Sequence, residues 1–347
     1  MKLTALEAKE IIRYHKYYNF KDMFENKTFL ITGCKGIVGS GIIKWLGYLN
    51  DEECANISII ASTRTPDEIP EFIQADDNIL FCEFGREKEF CSKRKVDFIV
   101  HAASPTGNTF HHNHPVESLR VIVDGTERML ELATEKEGCK MIYVSSEEVY
   151  GLPDSVIPIK EDYVGAIDSL NTRSCYPLGK KTAELLCFNH FTEYATDVTI
   201  IRPTVIHGLF QKYNEQRVVN EILRCILENK PLVMKSAGLT KKCMMYSLDV
   251  ISAIFTLLVK GKAGQAYNAS NPETFITIKD LAYMMFAKFN PRVSVIYSEN
   301  DISLTEGYLP KRVLVQDISK LKELGWNPKT SLEKIYEVDI ARFTSKT

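Results

Sequence analysis

The sequence predicts an α/β protein built on a doubly wound parallel sheet, with a smaller mixed α/β region towards the carboxyl end. Three observations lead to this prediction: a glycine-rich turn joins an apolar strand to a helix at residues 28–40, strands and helices alternate from there to about residue 204, and the alternation then breaks down. Alternating strands and helices form a parallel sheet with helices on both faces. We therefore expect a helical extension over residues 1–26, the main sheet over 27–204, and a smaller domain over 205–347, some segments of which return to the sheet.

The glycine-rich turn predicts a dinucleotide site. An apolar strand precedes it, three glycines follow at a spacing of three, and apolar residues then take up helical spacing. A side chain at Gly33 or Gly36 would keep a pyrophosphate away from the backbone N–H groups at the positive end of the helix, and Gly39 lets the helix pack close to the strand. The residues predicted to hold the dinucleotide here are Gly33, Gly36, Ile37, Val38 and Gly39.

The other elements are predicted in chain order. Residues 5 to 24 carry aromatic and apolar side chains at helical spacing, which predicts a helix lying on the core. Further strands of the sheet are predicted at 57–62, 79–84, 96–101, 141–146 and 198–204, and helices at 116–136, 176–194, 216–229, 248–260 and 278–288. After the fourth strand, Ala102, Ala103 and Ser104 are small enough to let a ligand approach the carboxyl end of the sheet.

The end of the second strand leaves the choice between NAD and NADP open. Folds that prefer NAD commonly place an acidic residue there for the ribose hydroxyls, but this chain has Ala61-Ser62-Thr63-Arg64. Arg64, together with Lys35 in the glycine turn, is a candidate to bind a 2′-phosphate, although both cations also suit a solvated surface. Glu83, at the end of the third strand, is a candidate contact for adenine.

Composition excludes several other classes of protein. Among 347 residues, 43 are Lys or Arg and 45 are Asp or Glu, so a net charge of -2 gives no reason to expect nucleic acid or an anionic membrane as partner. Nine scattered cysteines without a CxxC pair argue against a disulfide framework and a zinc site. His111, His112 and His114 match no common metal-ligand spacing, so we expect no metal and solvent around these rings. With no charged leader and no apolar run long enough to span a membrane, we expect a cytoplasmic protein.

Motifs in register along residues 27 to 340 resemble the extended short-chain dehydrogenase/reductases that act on nucleotide sugars, namely the epimerases, dehydratases and decarboxylases. The matching signatures are the glycine turn, HAAS at 101–104, SSEEVYG at 145–151, Tyr176 with Lys180 in a YxxxK pattern, and RPTVIHG at 202–208. The resemblance implies a Rossmann domain at 27–204 that binds and recycles NAD or NADP, with Ala102, Ala103, Ser104 and Pro203 at the cofactor. It further implies a predominantly substrate-binding domain at 205–347, a nucleotide-diphosphate sugar as substrate, and a homodimer.

By this resemblance Tyr176 is the base and Lys180 its partner, both also touching the cofactor, while Ser146 shares the hydrogen bond to the sugar oxygen. A sugar carbon gives up hydride only if its hydroxyl proton is removed at the same time. A tyrosine titrates near 10, and lowering its pKa by roughly three units takes about 4 kcal/mol. An ammonium one helical turn away and a positive nicotinamide ring are expected to supply that stabilisation.

The fate of the sugar after its oxidation at C4 depends on the residues that come after Ser146. The 4,6-dehydratases carry an acid pair there, so the resemblance makes Glu147 the acid that protonates the leaving 6-hydroxyl and Glu148 the base that takes the C5 proton; this is the favoured prediction. UDP-glucuronate decarboxylases share Glu148 and the motif RSCYPLGKKTAE at 173–184, but they have an arginine for the substrate where this chain has Lys242. A 4-epimerase has no use for Glu148. A regulator that binds NAD(P) without turnover is the alternative of another class.

Overall fold

A parallel sheet forms the centre of the protein. The computed structural model describes residues 3–65, 76, 78–105, 107–154, 156–298 and 311–345. The strands are, in chain order, β1 (Thr28–Thr32), β2 (Ser58–Thr63), β3 (Ile79–Glu83), β4 (Phe98–His101), β5 (Lys140–Val144), β6 (Val198–Pro203), β7 (Val205–His207), β8 (Leu232–Met234), β9 (Lys241–Lys242), β10 (Met244–Tyr246), β11 (Ala266–Ala269), β12 (Ile276–Thr277), β13 (Val295–Tyr297) and β14 (Val313–Leu314).

Seven of these strands make up the main sheet, in the order β3-β2-β1-β4-β5-β6-β11. Every neighbouring pair is parallel, and β1 pairs with both β2 and β4. The order therefore reverses between β1 and β4, which is where doubly wound sheets bind ligands at the carboxyl ends of their strands. The predicted fold class is confirmed, and β11 is a segment beyond residue 204 that returns to the sheet.

Helices cover both faces of the sheet. They are α1 (Ala5–His15), α2 (Lys21–Phe24), α3 (Ile37–Glu53), α4 (Glu87–Cys91), α5 (Asn108–Asn113), α6 (Pro115–Glu135), α7 (Cys175–Tyr194), α8 (Val218–Glu228), α9 (Ser247–Lys260), α10 (Ile278–Phe289), α11 (Ser319–Lys322) and α12 (Leu332–Thr344). Phe29 and Ile31 of β1 face the layer of α3 and α9, whereas Leu30 faces the layer of α6 and α7. Alternation along a strand thus buries both faces, as a parallel sheet requires.

The amino-terminal extension is two helices instead of the single one expected over residues 5–24. The chain turns between α1 and α2, and this bend lets aromatic side chains of both helices enter one core: Tyr14, Phe20 and Phe24 are buried there around Trp45 and Phe255. The extension therefore covers the sheet layer as predicted. Within the described ranges, no helix is both long and apolar enough to cross a membrane.

The region after β6 forms short sheets around a separate apolar cluster. β10 pairs with β7, β13 with β8, and β9 with both β12 and β14. Helices α8, α10 and α12 supply most of the buried side chains of this cluster. All nine cysteines lie in described parts of the chain and are free thiols.

Candidate active site

The glycine turn is shaped by close backbone contacts. Gly33 has a φ of +71°, and a Cβ there would lie 2.9 Å from backbone atoms of Ala102 and Ala103. A Cβ on Gly39 would overlap the carbonyl oxygen of Gly33, and Gly36 is the N-cap of α3, directly before its first residue Ile37. The first N–H groups of a helix lack partners within the helix. The amides of Ile37, Val38 and Gly39 therefore form an anion-binding helix end at this turn.

The loop after β4 closes against the glycine turn. The backbone N–H of Ala103 donates to Thr32 Oγ1 over 3.1 Å, which ties the loop to the end of β1. Ala102, Ala103 and Ser104 thus lie beside the glycines at the point where the strand order reverses. A turn that excludes side chains, a helix end and a loop of small residues together fit the pyrophosphate and nicotinamide half of a dinucleotide.

The side chains predicted to choose between NAD and NADP lie at the surface. Arg64 forms a 3.7 Å ion pair with Glu117, and both side chains are about half exposed. Lys35 donates to Thr65 Oγ1 over 2.6 Å. Glu83 is exposed at the end of β3, and Pro203 is buried at the end of β6. A role in cofactor binding for these residues stays a prediction.

Helix α7 places Tyr176 and Lys180 one turn apart. The Lys180 ammonium is 3% exposed, donates to the carbonyl of Val144 over 2.7 Å, and lies 5.9 Å from the centroid of the Tyr176 ring. Burial lowers the pKa of Lys180 to about 7, although the carboxylate of Glu184 opposes this shift. The lysine is held against the end of β5, beside the ring of its predicted partner.

The phenol of Tyr176 is not acidified by the protein alone. Burial and the nearby Glu148 carboxylate raise its pKa to about 12, while a hydrogen bond with Ser146 and the charge of Arg173 oppose that rise. The sequence predicts that Lys180 lowers this pKa, but burial and Glu148 outweigh the available cations. The nitrogen of Lys180 lies 4.9 Å from the centroid of the Tyr143 ring and 5.9 Å from that of Tyr176, so it packs against both rings.

Glu148 pairs with an arginine that the sequence prediction did not include among the site residues. Ser146 caps a 3₁₀ turn at Glu147–Tyr150 by accepting from the N–H of Glu148 over 3.2 Å. Nη2 of Arg173 donates to both carboxylate oxygens of Glu148, over 3.0 and 2.9 Å. Although burial acts in the opposite direction, the charges of Arg173, Arg312 and Lys242 hold the pKa of Glu148 below its usual value. Glu148 is therefore a carboxylate at neutral pH.

Glu147 is directed away from Glu148 and is buried. It forms an ion pair with Arg312, and the two side chains are 4% and 5% exposed. Each of the two neighbouring glutamates thus has its own guanidinium partner, Arg312 for Glu147 and Arg173 for Glu148. Arg312 is indicated by no local signal in the sequence, as it lies 165 residues away from Glu147.

Lys242 completes a basic cluster around the two glutamates. Burial lowers its pKa, and the charges that act on it belong to Glu147, Arg312, Glu148 and Arg217. The substrate-binding role predicted for Lys242 is not tested, but its position beside both glutamates is compatible with that role. The cluster unites residues from four separate parts of the chain.

His111 differs from the sequence prediction, which expects solvent around its ring, because the structure buries it. It lies in α5, is 2% exposed, and its ring packs against the ring of Tyr176, with centroids 4.8 Å apart and planes tilted by 37°. Its Nδ1 shares a 3.1 Å hydrogen bond with Ser118. Burial lowers the pKa of His111 to about 4, with Arg173 acting in the same direction, so the ring is neutral at physiological pH and forms one wall around the phenol.

A doubly wound sheet, a glycine turn at its switch point and a buried tyrosine–lysine pair define a dinucleotide-binding protein of the short-chain dehydrogenase/reductase class. Residues 29–270 match the model of the NAD dependent epimerase/dehydratase family, and the chain belongs to that family. It is therefore an enzyme of a family that acts on nucleotide sugars, as the sequence predicts.

Comparison with known proteins gives relatives of several activities. The chain is 30% identical to UDP-glucuronic acid decarboxylase 6 of Arabidopsis thaliana over 317 residues, which is 91% of this chain and 88% of that protein. Its fold is similar to dTDP-glucose 4,6-dehydratase from Bacillus anthracis in complex with NAD (TM-score 0.74, 20% identity, 92% of this chain and 98% of that one). It is also similar to UDP-glucuronic acid 4-epimerase from Bacillus cereus in complex with UDP-glucuronic acid and NAD (TM-score 0.74, 18% identity, 92% and 100%).

Proposed function

We propose that this enzyme oxidises C4 of a nucleotide-diphosphate hexuronate and then removes its C6 carboxylate as carbon dioxide. The observation that carries the proposal is the buried ion pair of Glu147 with Arg312. In this pair the carboxylate of Glu147 is already engaged by a buried guanidinium, so it is not free to serve as the acid at a leaving 6-hydroxyl. The similarity to a UDP-glucuronic acid decarboxylase over most of both chains supports the same choice.

Each residue of the site has its own task in this reaction. Tyr176, hydrogen-bonded with Ser146, takes the proton from the C4 hydroxyl, and Lys180 is positioned beside it, with Nζ 5.9 Å from the centroid of the tyrosine ring. The glycine turn at Gly33, Gly36 and Gly39 and the loop Ala102–Ser104 would hold NAD or NADP in this cleft, and the bound cofactor would supply reversible hydride chemistry at C4. The C4 ketone makes the substrate a β-keto acid, so the C5–C6 bond breaks and its electron pair moves through C5 to the C4 oxygen. Tyr176 can then protonate that oxygen, and C5 gains a proton when the ketone re-forms.

The second candidate is 4,6-dehydration, favoured by two adjacent glutamates after Ser146. It requires a proton on Glu147, so binding of the substrate must break the pair with Arg312. Glu148, already a carboxylate, would serve as the base at C5. Replacement of Glu147 by Gln distinguishes the two proposals. It should abolish dehydration, which needs this side chain as an acid, but not decarboxylation, which does not.

The test is mass spectrometry of nucleotide sugars incubated with the purified protein. We expect UDP-glucuronate to lose the mass of carbon dioxide, and Glu147→Gln to retain this activity. Loss of the mass of water from a nucleotide hexose, abolished in Glu147→Gln, would establish dehydration instead. Tight cofactor binding with no change in any sugar would favour the regulator.

We also propose that Arg64 gives the enzyme a preference for NADP. Arg64 directly follows β2, and among the described residues its guanidinium forms a half-exposed ion pair with Glu117 that a ligand would displace. Such surface pairs contribute less than about 1 kcal/mol. Arg64→Ala should therefore weaken NADP binding far more than NAD binding, measured by titration of both dinucleotides; equal affinities before and after the change would refute the preference.

A further inference from the structure

Arg173 is fixed in the site on several sides. It lies in the 3₁₀ turn Thr172–Ser174 just before α7 and is 7% exposed. One terminal nitrogen, Nη2, binds both oxygens of Glu148, and Nε donates to Oδ1 of Asn108 over 3.1 Å. The guanidinium carbon lies 5.6 Å from the centroid of the Tyr176 ring. The direction of this side chain is therefore set before any ligand arrives.

The remaining nitrogen of this guanidinium has no partner within the described part of the chain. Nη1 is buried and forms no hydrogen bond with any residue that the structure describes. A buried donor without an acceptor is unfavourable and uncommon, and a guanidinium is a costly group to leave in that state. The pair with Glu148 uses Nη2 and leaves Nη1 unsatisfied, which indicates a ligand as its acceptor.

The surroundings favour an anion as the missing acceptor. Four cations, Arg173, Arg217, Lys242 and Arg312, act electrostatically on Tyr176, Glu148 and one another. Among the described residues, three carboxylates oppose them: Glu147, Glu148 and, paired with Arg217 over 3.5 Å, Glu215. The cations therefore outnumber the carboxylates. A nucleotide-diphosphate sugar brings negative pyrophosphate charge, and a uronic acid adds a further carboxylate on the sugar ring.

The covalent structure of such a substrate places that carboxylate near Arg173. When Tyr176 binds the oxygen on C4, the C6 carboxylate is attached to the neighbouring carbon, C5. A cation packed over the side of the Tyr176 ring is thus within reach of C6. With Nε and Nη2 of the planar guanidinium engaged, Nη1 is a charged donor of fixed direction, which the flexible lysine at position 242 is not.

We infer that Nη1 of Arg173 binds the C6 carboxylate of a nucleotide-diphosphate hexuronate and selects this acid over the neutral hexose. The inference rests on the proposed function, whose substrate class it specifies. Glu148 then has a defined task, because it holds the guanidinium in the orientation that presents Nη1.

The test is calorimetric binding of UDP-glucuronate and UDP-glucose to the NAD-loaded protein. Wild type should bind UDP-glucuronate at least about tenfold more tightly, and Arg173→Lys should lose at least about tenfold for UDP-glucuronate while UDP-glucose changes by less than about threefold. Lysine is chosen instead of glutamine at position 173 because it keeps a cation beside the buried Glu148. The variant is therefore less prone to misfold than Arg173→Gln would be. Arg217→Gln is the matched control, and it should weaken both ligands by the same factor.

Equal losses for the two sugars in Arg173→Lys, or equal affinities in wild type, would overturn the inference. Selective binding without loss of carbon dioxide would leave this role of Arg173 in place and refute the decarboxylation. If the enzyme releases carbon dioxide but the Arg173→Lys variant keeps the wild-type preference, the decarboxylation stands and this role of Arg173 is refuted.

Discussion

At the scale of single residues, the chemistry depends on how easily the phenol of Tyr176 loses its proton. Burial and Glu148 raise its pKa, and the hydrogen bond with Ser146 lowers it. Glu148 and Ser146 thus act on the pKa of Tyr176 in opposite directions. Replacing each of them separately should shift that pKa in opposite directions. Lys180 contributes mainly by its position against Val144 and the Tyr176 ring.

We predict that Glu148→Gln moves the midpoint of the pH profile of cofactor reduction to lower pH, and that Ser146→Ala moves it to higher pH. Removing a negative charge favours the phenolate, whereas removing a hydrogen-bond donor disfavours it. Single-turnover absorbance of the reduced cofactor, recorded across pH, measures both shifts. Tyr176→Phe should show no reduction at any pH. Midpoints that move in the same direction in the two variants would contradict this account.

At the scale of elements, the glycine turn depends on close contact between two loops. We predict that Gly33→Ala destabilises the fold and prevents dinucleotide binding, because its Cβ meets the backbone of the loop after β4. Gly138→Ala is the matched control: Gly138 has nearly the same φ, +68°, but open space around it. The control should lose only about 1–2 kcal/mol from the left-handed conformation and keep its cofactor affinity. Denaturant unfolding and NAD titration measure both effects, and equal behaviour of the two variants would refute the steric explanation.

The contact between α1 and α9 contains a buried acid whose pKa bears on stability. Asp249, near the start of α9, accepts from the N–H of Lys329 over 2.7 Å, and Tyr14 of α1 packs beside it. Burial raises the pKa of Asp249 to about 7, although hydrogen bonds with Tyr14 and the backbone oppose the shift. The folded protein therefore binds a proton that the unfolded chain releases near pH 4.

We predict that wild type loses stability relative to Asp249→Asn as the pH rises from about 4 to about 7. A raised folded-state pKa gives stability that is present below the unfolded pKa and lost as the pH passes through the folded pKa, at about 1.4 kcal/mol per pH unit. Denaturant unfolding of both proteins at pH 5 and pH 7 measures the difference, and the comparison cancels other titrating groups. If the free energy of unfolding of wild type minus that of Asp249→Asn stays constant or increases as the pH rises, this role of Asp249 is excluded.

At the scale of the whole molecule, we predict a homodimer formed through α6 and α7. The two helices pack side by side, and each exposes apolar side chains one turn apart: Val116 and Leu119 on α6, Leu185 and Phe188 on α7. Light scattering should give the dimer mass for wild type and the monomer mass for Leu185→Glu with Phe188→Glu. Leu170→Glu, at an exposed loop position, is the control and should stay dimeric. A wild-type monomer would refute the prediction.

The sequence by itself determined the elements whose physics is local. A strand, three glycines and an apolar helix can only form a tight turn with a helix end exposed, and a spacing of four residues brings Tyr176 and Lys180 to one face of a helix. The regular alternation also predicted the parallel sheet, because a helix that connects two neighbouring strands crosses over the sheet and returns the chain in the same direction. This crossover is almost always right-handed.

Only the tertiary structure decided which groups surround the reacting atoms. Two neighbouring glutamates read as a pair in the sequence, yet in a 3₁₀ turn they diverge, and Arg173 and Arg312 reach them from 25 and 165 residues away. The buried place of His111 against Tyr176 likewise depends on the packing of α5 beside α7. Local spacing carries no information on such partners, because long-range contacts fix both the burial and the charge of a side chain, and these two quantities set its pKa.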